Sequence, residues 1–188
     1  FMLIDITALI SEDMLKKAEK NLNLITYGHL GTHFDVMNKK FPLEFIQRNG
    51  IVFDISNVKD RDIDIHDIDL NLVKKDMFVA FYSGCIDRIP YGSKEYFKNH
   101  PQLSYELIEE LLKKQISIIG IDFSGIRNGN EHIPADQKCA DNGAFVIENL
   151  CNLHKVLNNK KSAEFIANTY PVNFQGMSGL PCRVVAKI

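Results

Sequence analysis

The order of apolar segments along the 188-residue chain predicts a mixed α/β domain. Short β-branched or aromatic runs at residues 51–56 (IVFDIS) and 77–82 (MFVAFY) are typical of buried strands. Residues 104–115 have the pattern of an amphipathic helix, and the apolar run 116–122 (ISIIGID) follows directly as a central strand. Strand, helix and strand in this order indicate strands that pack against helices.

The helix predicted at residues 104–115 has signals at both of its ends. Pro101 precedes it, Ser104 is a suitable N-cap, and glutamates lie near its positively polarised N-terminus. Its apolar residues fall on one stripe and indicate a face that packs on the core. These residues are Leu107, Ile108, Leu111 and Leu112.

The remaining elements are predicted by shorter signals. Residues 11–20 begin with an N-cap serine and predict a short helix, whereas residues 59–69, with isoleucines among acids, suit an exposed strand or a loop. Residues 144–148 (AFVIE) and 183–188 (RVVAKI) predict two further strands. We expect one domain over residues 2–188, since a domain of this size buries about 70% of its unfolded surface without a disulfide or metal staple.

The composition excludes several classes of function. The 22 basic and 24 acidic residues give a net charge of −2, which argues against a basic surface for nucleic acid. No apolar run reaches the about 18 residues of a membrane helix, and no basic leader precedes the apolar N-terminal residues, so we expect a cytoplasmic protein. The four cysteines form no C-x-x-C pair and are expected to be reduced thiols.

The segment that indicates chemistry is residues 27–35 (YGHLGTHFD). Two imidazoles and a carboxylate, His29, His33 and Asp35, are a suitable ligand set for zinc, manganese or iron. His33 and Asp35 point the same way from an extended segment, and Gly31 permits a turn that brings His29 to the same ion. From these residues alone, a three-ligand site and ordinary surface or core histidines are both open.

The string HLGTHFD at residues 29–35 resembles the H-x-G-T-H-x-D-x-P-x-H signature of the cyclase family of metal-dependent hydrolases, which includes kynurenine formamidases and isatin hydrolases. Further resemblances follow in the family's order and span nearly the whole chain. They are the N-terminal strand and S-x-D-M turn (5–7 and 11–14), the H-P-x-L-S helix entrance (100–104), the I-G-I-D strand with its serine (119–124), the I-x-E-N-L strand (146–150) and the terminal G-x-P-x-R strand (179–183).

This resemblance implies a swivelling β/β/α fold with a centre of one or two divalent ions, zinc or manganese. By position, His29, His33 and Asp35 would be ligands, with Asp35 able to bridge two ions, and Glu148 would bind the second ion. A carboxylate at the end of an apolar strand needs such a partner, because a buried unpaired charge is costly. A salt bridge from Glu148 to a lysine is the alternative.

The final histidine of the family motif, a metal ligand or base in relatives, falls on Lys39 in this chain. A cationic lysine would repel a nearby dication. One interpretation is that Lys39 neutralises Asp136 or Glu148 and leaves a single ion at the first three ligands. The other is that Lys39, desolvated and neutral, acts as the catalytic base.

The family's second missing histidine lies twelve residues before the strand glutamate, and 148 − 12 = 136 places Asp136 there. We expect Asp136 to be the replacement ligand and a catalytic group, since carboxylates bind the same metals. His132 also reaches the site if residues 131–139 are helical, and Pro134 is compatible only with the first turn of such a helix. Cys139, on the face of Asp136, is more simply a small core residue.

The resemblance implies an enzyme that hydrolyses an amide, N-formyl or cyclic, in a small molecule, with a metal-activated water as nucleophile. It also implies a homodimer or homotetramer. Two alternatives are a metal- or small-molecule-binding relative that has lost catalysis, which Lys39 favours, and a metal-dependent lyase or dehydratase on the same scaffold.

Overall fold

A computed structural model describes residues 1–21, 25, 27–98 and 100–188. Within these residues the chain forms one mixed sheet of eight strands with helices packed around it. The strands are β1 Leu3–Asp5, β2 His33–Asp35, β3 Gln47–Asp54, β4 Phe78–Tyr82, β5 Ile118–Ile121, β6 Phe145–Glu148, β7 Ser162–Pro171 and β8 Gly179–Lys187. The α-helices are α1 Glu12–Ala18, α2 Cys85–Arg88, α3 Lys94–Lys98, α4 Tyr105–Lys113, α5 His132–Asp141 and α6 Leu153–Leu157.

The sheet closes into a barrel. Its strand order is β1-β8-β2-β6-β5-β4-β3-β7, and the additional pairing of β7 with β8 closes the strands from β8 to β7 into a ring, to which β1 is added beside β8. Strands β3, β4, β5 and β6 are mutually parallel, whereas β2 is antiparallel to both β6 and β8. The long strand β8 pairs through its first residues with β2 and through its last residues with β1. Within the described part of the chain, closure leaves no long exposed sheet edge, which protects against edge-to-edge association.

Side chains alternate between two apolar clusters, as a period of two residues requires. Val52, Phe78 and Ile147 belong to a cluster with the side chains of β7 and β8, on the inner face of the barrel. Ile51, Val79 and Val146 point to the other face and pack with Leu107 and its neighbours in α4. A second hydrophobic core therefore lies between the outer face of the sheet and the helices.

Each element predicted above corresponds to an element of the structure. The predicted strands at 51–56, 77–82, 116–122, 144–148 and 183–188 correspond to β3, β4, β5, β6 and β8. Ser104 caps α4 by accepting a hydrogen bond from the Leu107 amide at 3.1 Å. Ser11 caps α1 in the same way through Met14. Residues 59–69 are a loop with a 3₁₀ turn at Ile65–Asp67.

The patterns above do not predict strands β7 and β2. Strand β7 alternates polar and apolar residues (SAEFIANTYP), but Pro171 and several polar residues interrupt the apolar pattern that would predict a strand. The sequence of the three-residue strand β2 indicates a metal-binding motif and does not by itself predict a strand. Among the described residues no helix is long and apolar enough to cross a membrane. All four cysteines are free thiols, as expected.

The barrel interior gives a stability prediction. Phe78 is fully buried and packs against the Phe165 ring at 5.7 Å, whereas Phe174 is 52% exposed. We expect Phe78→Ala to lower the free energy of unfolding by about 3–5 kcal/mol, because it leaves a cavity in a closed barrel. Phe174→Ala, the matched control, should change it by no more than about 0.5 kcal/mol. Urea unfolding measures both, and equal effects would contradict the assignment of the inner core.

Candidate metal centre

Two neighbouring antiparallel strands place three of the predicted ligands on one face. His33 of β2 lies directly opposite Glu148 of β6 in the sheet register, and directly opposite residues project to the same side. Asp35, two residues after His33, points to that side as well, while Phe34 between them enters the barrel core. The side chains of His33, Asp35 and Glu148 are almost completely buried.

A glycine turn brings His29 to the same place. Gly28 has φ +80°, and a Cβ there would lie 2.1 Å from the Gly179 carbonyl oxygen, so only glycine fits. The Gly179 amide donates to the Tyr27 carbonyl at 2.8 Å and holds this turn against the start of β8. The His29 ring then contacts His33 edge to face, with ring centroids 4.9 Å apart.

Three ligand atoms converge in the first group. His29 Nδ1 lies 3.1 Å from His33 Nε2 and 3.0 Å from Asp35 Oδ1, and His33 Nε2 lies 3.5 Å from the same oxygen. The other ring nitrogens have protein partners: His33 Nδ1 donates to the Gly31 carbonyl at 2.9 Å, and His29 Nε2 lies 2.8 Å from Ser178 Oγ. Ligands about 2.05 Å from a tetrahedral ion are about 3.3 Å apart, so these spacings match a zinc-type site.

The helix α5 brings a second group against the first. His132 and Asp136 are four residues apart, so both face the sheet from one side of α5. His132 Nε2 lies 3.0 Å from Asp136 Oδ2 and 3.2 Å from Glu148 Oε1. The ligand atoms of Asp35, His132, Asp136 and Glu148 all lie within 4.8 Å of one another. Asp35 belongs to both groups.

Pro134 does not prevent this helix. It lies in the first turn of α5, where its missing amide hydrogen has no helical acceptor to lose. The choice between Asp136 and His132 is therefore not exclusive, because the structure brings both side chains to the cluster. Cys139 lies one turn further along α5, is fully buried in the outer core, and is absent from both ligand groups.

The charges in this cluster depend strongly on one another. Burial opposes the charged form of His132, but its hydrogen bonds to Asp136 and Glu148 outweigh burial and raise its pKa to about 11. Burial likewise opposes charge on His33, yet the neighbouring Asp35 raises its pKa to about 9. Burial raises the pKa of Asp136 to about 8, against the effect of His132. Each of these three pKa shifts arises because buried carboxylates lie together with few positive charges beside them.

Buried carboxylate oxygens that lack a hydrogen-bond donor indicate whether these residues fit a metal ion. Among the described residues, Asp35 Oδ2 and Asp136 Oδ1 are buried and have no hydrogen-bond partner. A buried anionic oxygen without a donor costs free energy that a bound cation recovers. Imidazole and carboxylate together are the ligand set of zinc and manganese enzymes. The residues present therefore fit a divalent ion.

Lys39 lies away from this cluster. After β2 the chain turns at Met37, which has φ +56°, and the Lys39 amide donates to the Val36 carbonyl. The turn directs the Lys39 side chain along the surface, where its Nζ lies 2.5 Å from Asp141 at the end of α5. Neither expected role of Lys39, as base or as counter-ion of Asp136 or Glu148, is compatible with this position.

The cluster forms the floor of a pocket of about 520 Å³. His100 and Ser124 line it, although sequence reasoning assigned His100 only to a helix entrance. His100 stacks on Phe123 at 5.6 Å, and its Nδ1 donates to the Pro101 carbonyl at 2.8 Å. Burial lowers the pKa of His100, which favours its neutral form. Ser124 Oγ is buried without a hydrogen-bond partner among the described residues.

The sequence matches the model of one protein family. The model of the Cyclase family, described as "Putative cyclase", matches residues 4–126. This match includes His29, His33 and Asp35 and ends before α5 and Glu148. No protein of curated function matches the sequence.

Solved structures share the fold over nearly the whole chain. A "potential metal-dependent hydrolase with cyclase activity" has a TM-score of 0.75 at 22% identity, covering 98% of this chain and 96% of the other. A "predicted metal-dependent hydrolase" from Bacillus stearothermophilus has a TM-score of 0.72 at 22% identity, covering 98% and 97%. Isatin hydrolase A from Labrenzia aggregata, bound to benzyl benzoate, has a TM-score of 0.69 at 19% identity, covering 83% and 72%. The expected cyclase-type α/β fold is thus confirmed.

Proposed function

This chain belongs to the Cyclase family, and we propose that it is a metal-dependent hydrolase that cleaves an amide bond of a small molecule. The observation that supports this proposal is the convergence of six ligand side chains, in two groups sharing Asp35, on the floor of a pocket. A carboxylate and imidazole cluster that only stabilised the fold would not need to open into a cavity of about 520 Å³.

The proposed cofactor is zinc or manganese, as one or two ions per chain. His29, His33 and Asp35 would hold one ion, and Asp35, His132, Asp136 and Glu148 would hold the other. A divalent ion in such a place supplies Lewis acidity, polarising a carbonyl and lowering the pKa of water toward 7. The hydrogen bonds to Gly31 and Ser178 orient the two imidazoles of the first group.

The pocket walls favour a small, largely apolar substrate. Met37, Phe97 and Ile133 contribute apolar surface, and among its described lining residues there is no lysine or arginine to bind a phosphate or a polyanion. A ring-bearing amide, N-formyl or cyclic, suits this surface. Three similar solved structures named isatin hydrolase are consistent with a cyclic amide as the substrate of this chain.

Two further side chains that line the pocket, His100 and Ser124, would assist the hydrolysis. The Pro101 carbonyl can only accept, so His100 Nδ1 carries the hydrogen and Nε2 keeps its lone pair, as a proton acceptor requires. The lowered pKa of His100 keeps the ring neutral at pH 7. The unpaired Ser124 hydroxyl offers a donor to the oxygen that gains negative charge during attack on the carbonyl.

The two alternatives receive less support. The alternative of a binding protein without catalysis rests on the missing histidine at Lys39, and His100, which lines the pocket, offers another proton acceptor in its place. A lyase or dehydratase would use the same cluster, and the absence of amide products with metal-replete protein would favour it. The homodimer or homotetramer and the cytoplasmic location stay predictions.

Replacing His33 tests the proposal. We expect His33→Ala to lower kcat/KM for amide hydrolysis at least about a thousandfold and to reduce bound metal, because His33 is a buried ligand between Asp35 and Glu148. The substrates are isatin, N-formylkynurenine and a panel of cyclic amides, with metal content measured on the same samples. His66→Ala, on an exposed 3₁₀ turn, is the matched control and should behave as the unaltered protein. Undiminished turnover by His33→Ala would refute the proposal.

Replacing His100 separates proton transfer from metal binding. We expect His100→Asn to lower kcat about a hundredfold or more while metal content stays unchanged, because general-base assistance contributes about 10²–10⁴ in rate. The pH dependence of kcat should lose its acidic limb in this variant. Unchanged kcat with an unchanged pH profile would exclude His100 as the proton acceptor.

A further inference from the structure

The two halves of the ligand set are joined by one buried amide. Asn149 follows Glu148 directly, at the end of β6, and is 2% exposed. Its side chain reaches across to the segment that carries His29, His33 and Asp35. Its Nδ2 donates to the Gly31 carbonyl at 2.9 Å, and its Oδ1 accepts from the Tyr96 hydroxyl at 2.7 Å.

Hydrogen bonding fixes the orientation of this amide. The Gly31 carbonyl can only accept, so the Asn149 atom facing it must be the nitrogen, and the oxygen must face Tyr96. The main chain of Asn149 is also satisfied: its amide donates to the Phe123 carbonyl and its carbonyl accepts from Thr32 Oγ1. Asn149 adopts φ +60°, a left-handed conformation that costs free energy unless its surroundings enforce it.

The peptide that Asn149 binds is the one that orients His33. The Gly31 carbonyl accepts both from Asn149 Nδ2 and from His33 Nδ1, each at 2.9 Å. On the other side, the Gly31 amide donates to the Tyr91 hydroxyl at 2.7 Å. Tyr91 and Tyr96 pack edge to face at 5.4 Å, so the two tyrosines support Gly31 from both sides, Tyr91 at its amide and Tyr96 through Asn149 at its carbonyl.

We propose that Tyr91, Tyr96 and Asn149 form a positioning clamp that fixes the Gly31 peptide, and through it His33, relative to Glu148. This inference rests on the proposed function for its metal, but the contacts of the clamp are independent of it. None of the three side chains belongs to a ligand group, so each acts through the ligands it holds. Fixing the hydrogen on His33 Nδ1 leaves Nε2 as the metal-binding nitrogen.

The clamp also links the pocket to the metal ligands. Tyr96 belongs to α3, and its neighbour Phe97 lines the pocket. Asn149 itself lines the same pocket, so a substrate bound there lies beside the clamp.

Removing single hydroxyl groups tests the clamp. Tyr96→Phe and Tyr91→Phe keep the ring packing and remove only the hydrogen bonds. We expect the Co²⁺ dissociation constant to rise about 10–100-fold and the visible absorption spectrum of bound Co²⁺ to change. In metal-free protein, hydrogen exchange of the Gly31 amide should accelerate about tenfold more than that of β5 amides. Tyr170→Phe, on a 57% exposed tyrosine, is the matched control.

The outcomes separate this inference from the proposed function. The clamp is overturned if both variants keep the Co²⁺ affinity and spectrum of the unaltered protein and if hydrogen exchange accelerates equally at Gly31 and in β5. That result would show a merely structural role of the two tyrosines. Failure of the unaltered protein to bind Co²⁺ would instead overturn the proposed function. In that case the local exchange at Gly31 in metal-free protein still decides whether the clamp exists.

Discussion

Three carboxylates buried side by side are the constraint on which the rest of this structure depends. Asp35, Asp136 and Glu148 are at most 4% exposed, and their charges repel one another in a medium that screens them poorly. Each of them has a buried oxygen without a hydrogen bond among the described residues, and that of Glu148 lies 3.2 Å from His132 Nε2. Without a metal, the arrangement is tolerated through the raised pKa values of His33 and His132, which favour imidazolium, and of Asp136, which favours the neutral carboxyl; a bound cation would take over this role.

The architecture provides the rigidity that such a cluster needs. His33 and Glu148 are fixed by the register of β2 against β6, and His132 and Asp136 are fixed by one face of α5. The closed barrel prevents β2 from sliding, because β2 is paired on both sides, by β6 and by β8. Ligands on paired strands and helices are held more accurately than ligands on loops. His29 alone comes from a turn, and glycines fix that turn.

Much of the fold and part of the site could be predicted from the sequence. Continuous apolar runs gave β3, β4 and β5, because strands buried on both faces need no polar alternation. The string HLGTHFD gave His29, His33 and Asp35 as ligand candidates. The position of Lys39 could not be predicted, and that of His132 only on the condition of a helix at residues 131–139, since both depend on the local backbone. A turn at Met37 directs Lys39 outward, and α5 turns His132 inward.

The most direct test of the account is the number of metal ions and their effect on stability. Chelator-stripped protein is titrated with Zn²⁺ or Mn²⁺, and bound metal per chain and thermal unfolding are measured together. The account predicts one or two ions per chain and a midpoint temperature of unfolding that rises with each ion bound, because each ion relieves buried carboxylates. Binding of no ion, or an unfolding midpoint unaffected by metal, would contradict the central claim; a single ion would show that the two ligand groups do not act as separate sites.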